Sequence, residues 1–189
     1  SSFTSAPLTP RLSAERTSSL TELAVAEATA ELRFEAYTKM KRKTIVFTEA
    51  GKADLQESDL RPLADHEVLV ANEISAISAG TERACLLDLP NLGDTLPGSF
   101  PKTSGYSGVG RVEKVGESVQ GVRPGDRVLT HWGSQHTNYN FIAEENLLKI
   151  ENEGILSEHA VFAVIAAFSL NGLRKTRLEI GENAAVVGL

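Results

Sequence analysis

His131 and His136 flank Trp132-Gly133-Ser134-Gln135, and no other pair of the chain's four histidines lies so close together. Imidazole titrates near neutrality, so either ring is equipped to accept or donate a proton in catalysis. Zinc takes three or four protein ligands, and two imidazoles with no third donor nearby fall short of that. The segment therefore reads first as an ordinary surface loop, with a substrate-contacting or proton-donating histidine as the alternative. His66, beside Asp65 before a strand, and His159, in the first turn of a helix, read as surface residues. Cys85 is the one cysteine, which excludes an internal disulfide and any multi-cysteine zinc site.

Two glycine strings invite comparison with phosphate-binding loops. Gly105, Gly108 and Gly110 lead into a β-type run rather than a helix, so no helix N-terminus is there to receive a phosphate. They read as a backbone turn that lets a strand bend beside a cleft. The other string, Ala185-Val186-Val187-Gly188-Leu189, is different. An apolar run ending in Gly is how a dinucleotide-binding strand enters its phosphate turn, with Gly188 as the first cofactor-contacting position. The turn and its helix lie beyond Leu189, so the chain is expected to hold only part of a nucleotide site.

The elements that must position these groups fall into three stretches. Residues 1–40 form an N-terminal extension rich in Ser, Thr and Ala, flexible first and then helical over about 19–38. There Ser19 to Glu22 has capping-box spacing ahead of a run rich in Ala, Leu and Glu. Residues 41–155 change texture. Short β-type runs at 44–47, 67–70, 109–115, 127–129 and 140–142 are separated by Pro, Gly, Asn and Asp, with no helical period between them. Residues 156–189 predict a helix from Ser157, which can cap it, to about Lys175, with Val161, Ile165, Phe168 and Leu173 near helical spacing. A strand over 184–187 follows. The longest apolar run, Ala160 to Leu170, is about half a membrane span and reads as buried helix.

Composition sets outer limits. The 189 residues are 41% hydrophobic and 23% charged, enough apolar content for a core of ordinary size. A net charge of −6 lacks the basic field of a nucleic-acid surface. No apolar block resembles a secretory signal, and a lone cysteine favours a reducing, cytoplasmic compartment.

The order of strands, helix and Gly-terminated strand resembles the medium-chain dehydrogenase/reductase superfamily. Four segments carry the likeness: Glu67 to Val70 running to Ser78-Ala79-Gly80-Thr81-Glu82; Gly105 to Val112 with Val115-Gly116; Val122 to Val128; and Ala167 to Leu170 followed by Leu178 to Glu182 and Val186 to Gly188. The resemblance implies a mainly β fold. A chaperonin-10 (GroES)-like, partly open β-barrel at 41–155 would carry substrate, and 156–189 would begin a truncated Rossmann domain that binds NADP or NAD mostly beyond Leu189. The Ser-Ala-Gly-Thr-Glu string is most similar to the zinc-independent branch that contains bacteriochlorophyllide dehydrogenase relatives.

Zinc-using relatives have Cys, His and Glu where this sequence has Ala79, Tyr106 and Ser107, and methyl, phenol and hydroxymethyl groups do not hold zinc. The resemblance therefore implies a metal-free site. In it Thr81 and Tyr106 join His136 as catalytic candidates, and Thr81 also faces cofactor. Ser78, Glu82, Ser107, His131 and Trp132 would contact substrate. Glu82 would hold Arg83 or backbone amides, and Tyr106 is either a proton donor or a cavity-filling ring. The expected activity is hydride transfer between nicotinamide and a carbonyl, an alcohol or an activated double bond. Expected partners are a small-molecule substrate, the remaining Rossmann half or a companion chain, and a second copy of the chain. The other reading is a non-catalytic binding or scaffold module that uses the barrel and the N-terminal helix.

Overall fold

The computed structural model describes residues 37, 39–90, 99–133 and 135–186. The chain divides into two units, Ser1–Lys41 and Arg42–Leu189. In the first, Tyr37 is helical and its carbonyl accepts the Met40 N–H at 3.1 Å. The rest of the helix expected over about 19–38 lies outside the described residues.

The second unit is mainly β. Strands β1 (Lys41–Glu49), β2 (Lys52–Asp59) and β4 (Lys102–Thr103) form a three-stranded sheet in the order β2-β1-β4. Strands β3 (Glu67–Ser75), β5 (Ser107–Val115), β6 (Arg127–His131), β7 (Tyr139–Ala143) and β8 (Leu147–Lys149) form a five-stranded sheet in the order β7-β3-β5-β6-β8. Its ladders are antiparallel throughout. Each predicted β run lies inside one of β1, β3, β5, β6 and β7. Strands β2 and β8 escaped notice for a physical reason. β2 is almost wholly exposed and polar, and β8 is three residues long, so neither carries a period-2 apolar signal.

Three expectations for the helices and the last strand need correction. A helix, α1 (Ala79–Leu86), stands where no helical period was read. Its eight residues make about two turns, too few for a periodic stripe, and its buried residue is Glu82. The helix expected from Ser157 is broken into α2 (Ser157–Ala160) and α3 (Ala163–Thr176). Ser157 does not cap it. Its hydroxyl donates to Glu73 at 2.6 Å and accepts from Arg127 at 2.8 Å, charge-assisted bonds that outweigh a neutral cap. Nor is this apolar stretch buried, since Phe162, Phe168, Leu170 and Leu173 are each more than half exposed. Residues 184–186 make no strand. A strand exists through its ladder partners, and none of the described strands pairs there. Gly188 lies outside the described residues.

Val68, Leu69 and Val70 are fully buried because β3, central between β5 and β7, is covered on both faces. On one face Val68 and Val70 pack with Val112 and Val128. On the other, Ala76, Val109 and Leu129 close around Val161, one of the two residues between α2 and α3. Ser107 secures that contact. Fully buried, its hydroxyl donates to the Val161 carbonyl at 2.6 Å. Removing it leaves a buried carbonyl unpaired, so Ser107→Ala is expected to cost about 1–3 kcal/mol in urea denaturation. A loss within noise would mean water replaces the hydroxyl.

Candidate functional site

The end of the five-stranded sheet where β3 and β6 finish and β5 begins collects most of the candidate residues. Ser75 lies opposite Gly108 in the β3–β5 ladder, and Ser107 lies opposite His131 in the β5–β6 ladder. The segment 135–138 crosses this end and joins the sheets. Ile45 N–H donates to the His136 carbonyl at 2.9 Å, and Thr44 bridges Thr137. His136 N–H donates to the Ser104 carbonyl at 3.1 Å. Gly105 makes that approach possible. Its φ is +118°, and a side chain there would meet the Gln135–His136 backbone at 3.1 Å.

Gln135 is pinned on several sides. Its backbone N–H and carbonyl bond the Asn140 amide at 3.0 and 3.2 Å, its Nε2 reaches Thr103 at 2.8 Å, and its Oε1 accepts Arg42 at 2.6 Å. With its neighbour held, the His136 ring has a set position. Nε2 lies 3.0 Å from Glu82 Oε1, and Nδ1 lies 2.8 Å from Ser75 Oγ. Of the two expected roles for Glu82, the hold on a backbone amide is present through Ser78 and the hold on Arg83 is not; its main partner is the His136 imidazole. Glu82 is buried, and among the described residues its second oxygen, Oε2, has no hydrogen-bond partner.

Burial pushes the Glu82 carboxyl up, but the hydrogen bonds from His136, Ser104 and the Ser78 backbone, with any positive charge on the ring, together outweigh it, and the net shift is below the ordinary 4.5. Ser104 adds a weaker pull in the same direction without giving Oε2 a hydrogen bond. A depressed carboxyl contributes stability that is complete above 4.5 and vanishes as pH falls through the folded value. Glu67, held by Arg61, and Asp126 act in the same sense. Thermal melts from pH 6 to pH 3 are therefore expected to show an acid limb that is shallower in Glu82→Gln. Limbs of equal slope would mean Glu82 titrates alike in folded and unfolded chains.

The other candidates are more scattered. Thr81, exposed at the start of α1, has its Oγ1 3.2 Å from Ser78 Oγ. The half-buried Tyr106 ring leans on Phe168 of α3, centroids 6.5 Å apart. His131 closes β6, and Trp132, 62% exposed with φ +45°, turns the chain out. The Ser107 hydroxyl is spent on Val161. Asp126 caps the Arg123 N–H and pairs with Lys149, while Arg127 goes elsewhere.

Sequence reasoning missed two groupings. Ser75 is one, a serine with no motif around it; its signal is only its place at a strand end. The other is Glu73 with Arg111, Arg127 and Ser157 around a cavity of about 470 Å³. Glu73 is the extra residue of a bulge, since Asn72 pairs with Gly110 while Ile74 pairs with Val109. The bulge re-aims its carboxylate toward both arginines and Ser157, which fastens α2 to the sheet.

Neither cofactor class of the resemblance finds a full set of contacts here. Among the described residues no three His, Cys, Asp or Glu side chains come together as a metal cluster. Ala79, Tyr106 and Ser107 supply no zinc ligand of the usual kind. A dinucleotide's phosphates would find no cradle at Gly105–Gly110 either. That backbone is a strand pressed against its neighbours, and a side chain at Gly110 would sit 2.2 Å from the Ala71 carbonyl oxygen. Thr81, exposed, and Ser78, half-buried, place two hydroxyls together at the start of α1.

Residues 64–171 match the model of the alcohol dehydrogenase GroES-like domain. The chain belongs to this family. S-(hydroxymethyl)glutathione dehydrogenase of Komagataella pastoris is 38% identical over 92 residues, 48% of this chain and 22% of that relative. Among solved structures, the quinone oxidoreductase from Coxiella burnetii superposes with a TM-score of 0.67 at 16% identity over 76% of this chain and 47% of its own. The 2R,3R-butanediol dehydrogenase from Bacillus subtilis gives 0.64 at 17% over 75% and 49%. These two likenesses concern the fold. The chain thus spans about a quarter of that curated relative and about half of each solved one. Among the described residues no helix is long and apolar enough to cross a membrane.

Proposed function

We propose that this GroES-like domain is the substrate side of a zinc-independent NAD(P)-dependent oxidoreductase. Hydride passes between nicotinamide and a carbonyl, an alcohol or an activated double bond. The observation that carries the reading is the occupancy of the ligand positions. Where zinc-using relatives have Cys, His and Glu, this domain has Ala79, Tyr106 and Ser107, while a histidine–carboxylate pair stands at the same sheet end. A carbonyl that receives hydride without a metal needs a protein donor on its oxygen, and His136 with Glu82 is suited to manage that proton. The nicotinamide cofactor supplies the hydride chemistry when bound. Thr81 and Ser78 offer hydroxyls on its side of the cleft, and Tyr106, His131 and Trp132 border the substrate.

The nucleotide is held mainly by a Rossmann half beyond these residues. The exposed apolar side chains of α3, Phe168 and Leu173 among them, give that half a surface to cover. The experiment is twofold. Metal analysis of the active full-length protein should find less than one zinc per ten chains while turnover persists with a strong chelator present. Calorimetry should show the 189-residue chain binding NADPH and NADH at least about tenfold more weakly than the full-length protein, a step of roughly 1.4 kcal/mol. Stoichiometric zinc lost together with activity defeats the metal-free reading. Tight binding of either nucleotide by the short chain defeats the divided site.

A further inference from the structure

We propose that Ser75, His136 and Glu82 form a proton relay in which Ser75, a residue outside every motif of the resemblance, touches the reacting substrate oxygen. The inference rests on the oxidoreductase reading and gives its proton a path. Geometry assigns the direction. An ionised Glu82 only accepts, so Nε2 carries the ring proton and Nδ1 presents a lone pair, and the partner of that lone pair is the Ser75 hydroxyl. A hydroxyl donating into an imidazole whose far nitrogen is held by a carboxylate is the arrangement that activates serine oxygens elsewhere.

A structural role alone explains the array poorly. Glu82 and His136 are both nearly enclosed, with side chains 10% and 12% exposed. Burying a carboxylate costs desolvation that an apolar side chain would avoid, and among the described residues Oε2 has no hydrogen-bond partner. That unspent acceptor is a reserve of negative charge beside a ring that must become cationic in turnover. Among the described residues Glu82 is the one charged group in hydrogen-bond contact with the ring; Arg42 stands a residue away on Gln135. Ser75 is half-buried, and the residue facing it across the ladder is Gly108, which puts no side chain beside the hydroxyl.

The step balances. In alcohol oxidation the substrate O–H gives its proton to Ser75 Oγ as the Ser75 proton moves to His136 Nδ1. An oxidised nicotinamide nucleotide, when bound, would supply the acceptor for the hydride on the carbinol carbon. A carbonyl product, a reduced nucleotide and an imidazolium–carboxylate pair remain, and the pair later releases one proton to water. Carbonyl reduction runs these transfers backwards.

Two measurements test the relay. Ring-nitrogen NMR of the 15N-histidine-labelled 189-residue chain should show His136 with its proton on Nε2, and Glu82→Gln should disturb that state. In the full-length protein, Ser75→Ala and His136→Gln should each lower kcat about a hundredfold or more with KM changed far less. Ser75→Thr, which keeps the hydroxyl, should recover at least about tenfold of that loss, and His136→Gln should flatten the pH profile of kcat. The activity probes are 2,3-butanediol with NAD+ or NADP+, and 1,4-naphthoquinone with NADH or NADPH. Turnover undiminished in a folded Ser75→Ala variant, or a ring protonated on Nδ1, overturns the relay and leaves the oxidoreductase reading standing. A wild-type protein that oxidises or reduces neither probe with any nucleotide overturns the reading and the relay with it.

Discussion

Leu69→Ala is expected to remove about 2–5 kcal/mol from the stability of the chain, read as a drop in the urea midpoint at unchanged slope. Leu69 is fully buried at the centre of β3, opposite Lys114 on one side and Phe141 on the other. Truncation loses the transfer energy of three carbons and leaves a void that a strand hydrogen-bonded on both edges cannot collapse to fill. Domains of this size commonly hold about 5–15 kcal/mol, so the variant approaches the limit of folding. Leu148→Ala is the control. That side chain is 60% exposed on the edge strand β8, and its loss should stay within about 0.5 kcal/mol. Equal costs for the two would mean the sheet centre is no better packed than its rim.

Gly110→Ala is expected to damage both stability and the site. A Cβ at this position would lie 2.2 Å from the Ala71 carbonyl oxygen and 2.9 Å from the Asn72 Cα. The obstacle is backbone held in a ladder, so β3 must shift, at a cost of about 1–3 kcal/mol or more. The shift falls where Glu73 bulges out and three residues before Ser75. It should therefore loosen the fastening of α2 and lengthen the Ser75–His136 contact. The His136 ring-nitrogen signal reports the second effect and the urea midpoint the first. Gly172→Ala in α3 is the contrast. No atom lies within 4 Å of the added Cβ there, and relief of helix-interior glycine should stabilise by about 0.5–1 kcal/mol. If Gly110→Ala is as benign as Gly172→Ala, the close approach of β3 and β5 is not tight.

The β runs were legible because the period of apolar residues and the turn residues between them are local properties. Val68 to Val70 and Val109 to Val115 announce themselves without any partner. The glycines at 105 and 110 were legible as a bend, but not as close approaches, because which backbone arrives opposite them is set by the fold. Strand β2 was not, since its polar face gives no contrast with a loop. The helix α1 was not, since two turns are too short for a period and its inward residue is a charged one. The broken helix at Val161 and the freed Ser157 were out of reach for a different reason. Both depend on what arrives from elsewhere in the chain, Ser107 to one and Glu73 with Arg127 to the other.

The site divides along the same line. The amino-acid order by itself set the limits: a single cysteine, no basic field, and two histidines five residues apart. Only the tertiary structure decided which side chains act together, because it brings Glu82 to His136 across 54 residues and Ser75 to the same ring across 61. Hydrogen bonds of 3.0 and 2.8 Å are set by the register of β3 against β5 and by the pinned loop at Gln135. Neither leaves a trace in sequence spacing, since register and loop closure are properties of the paired strands and not of any single one.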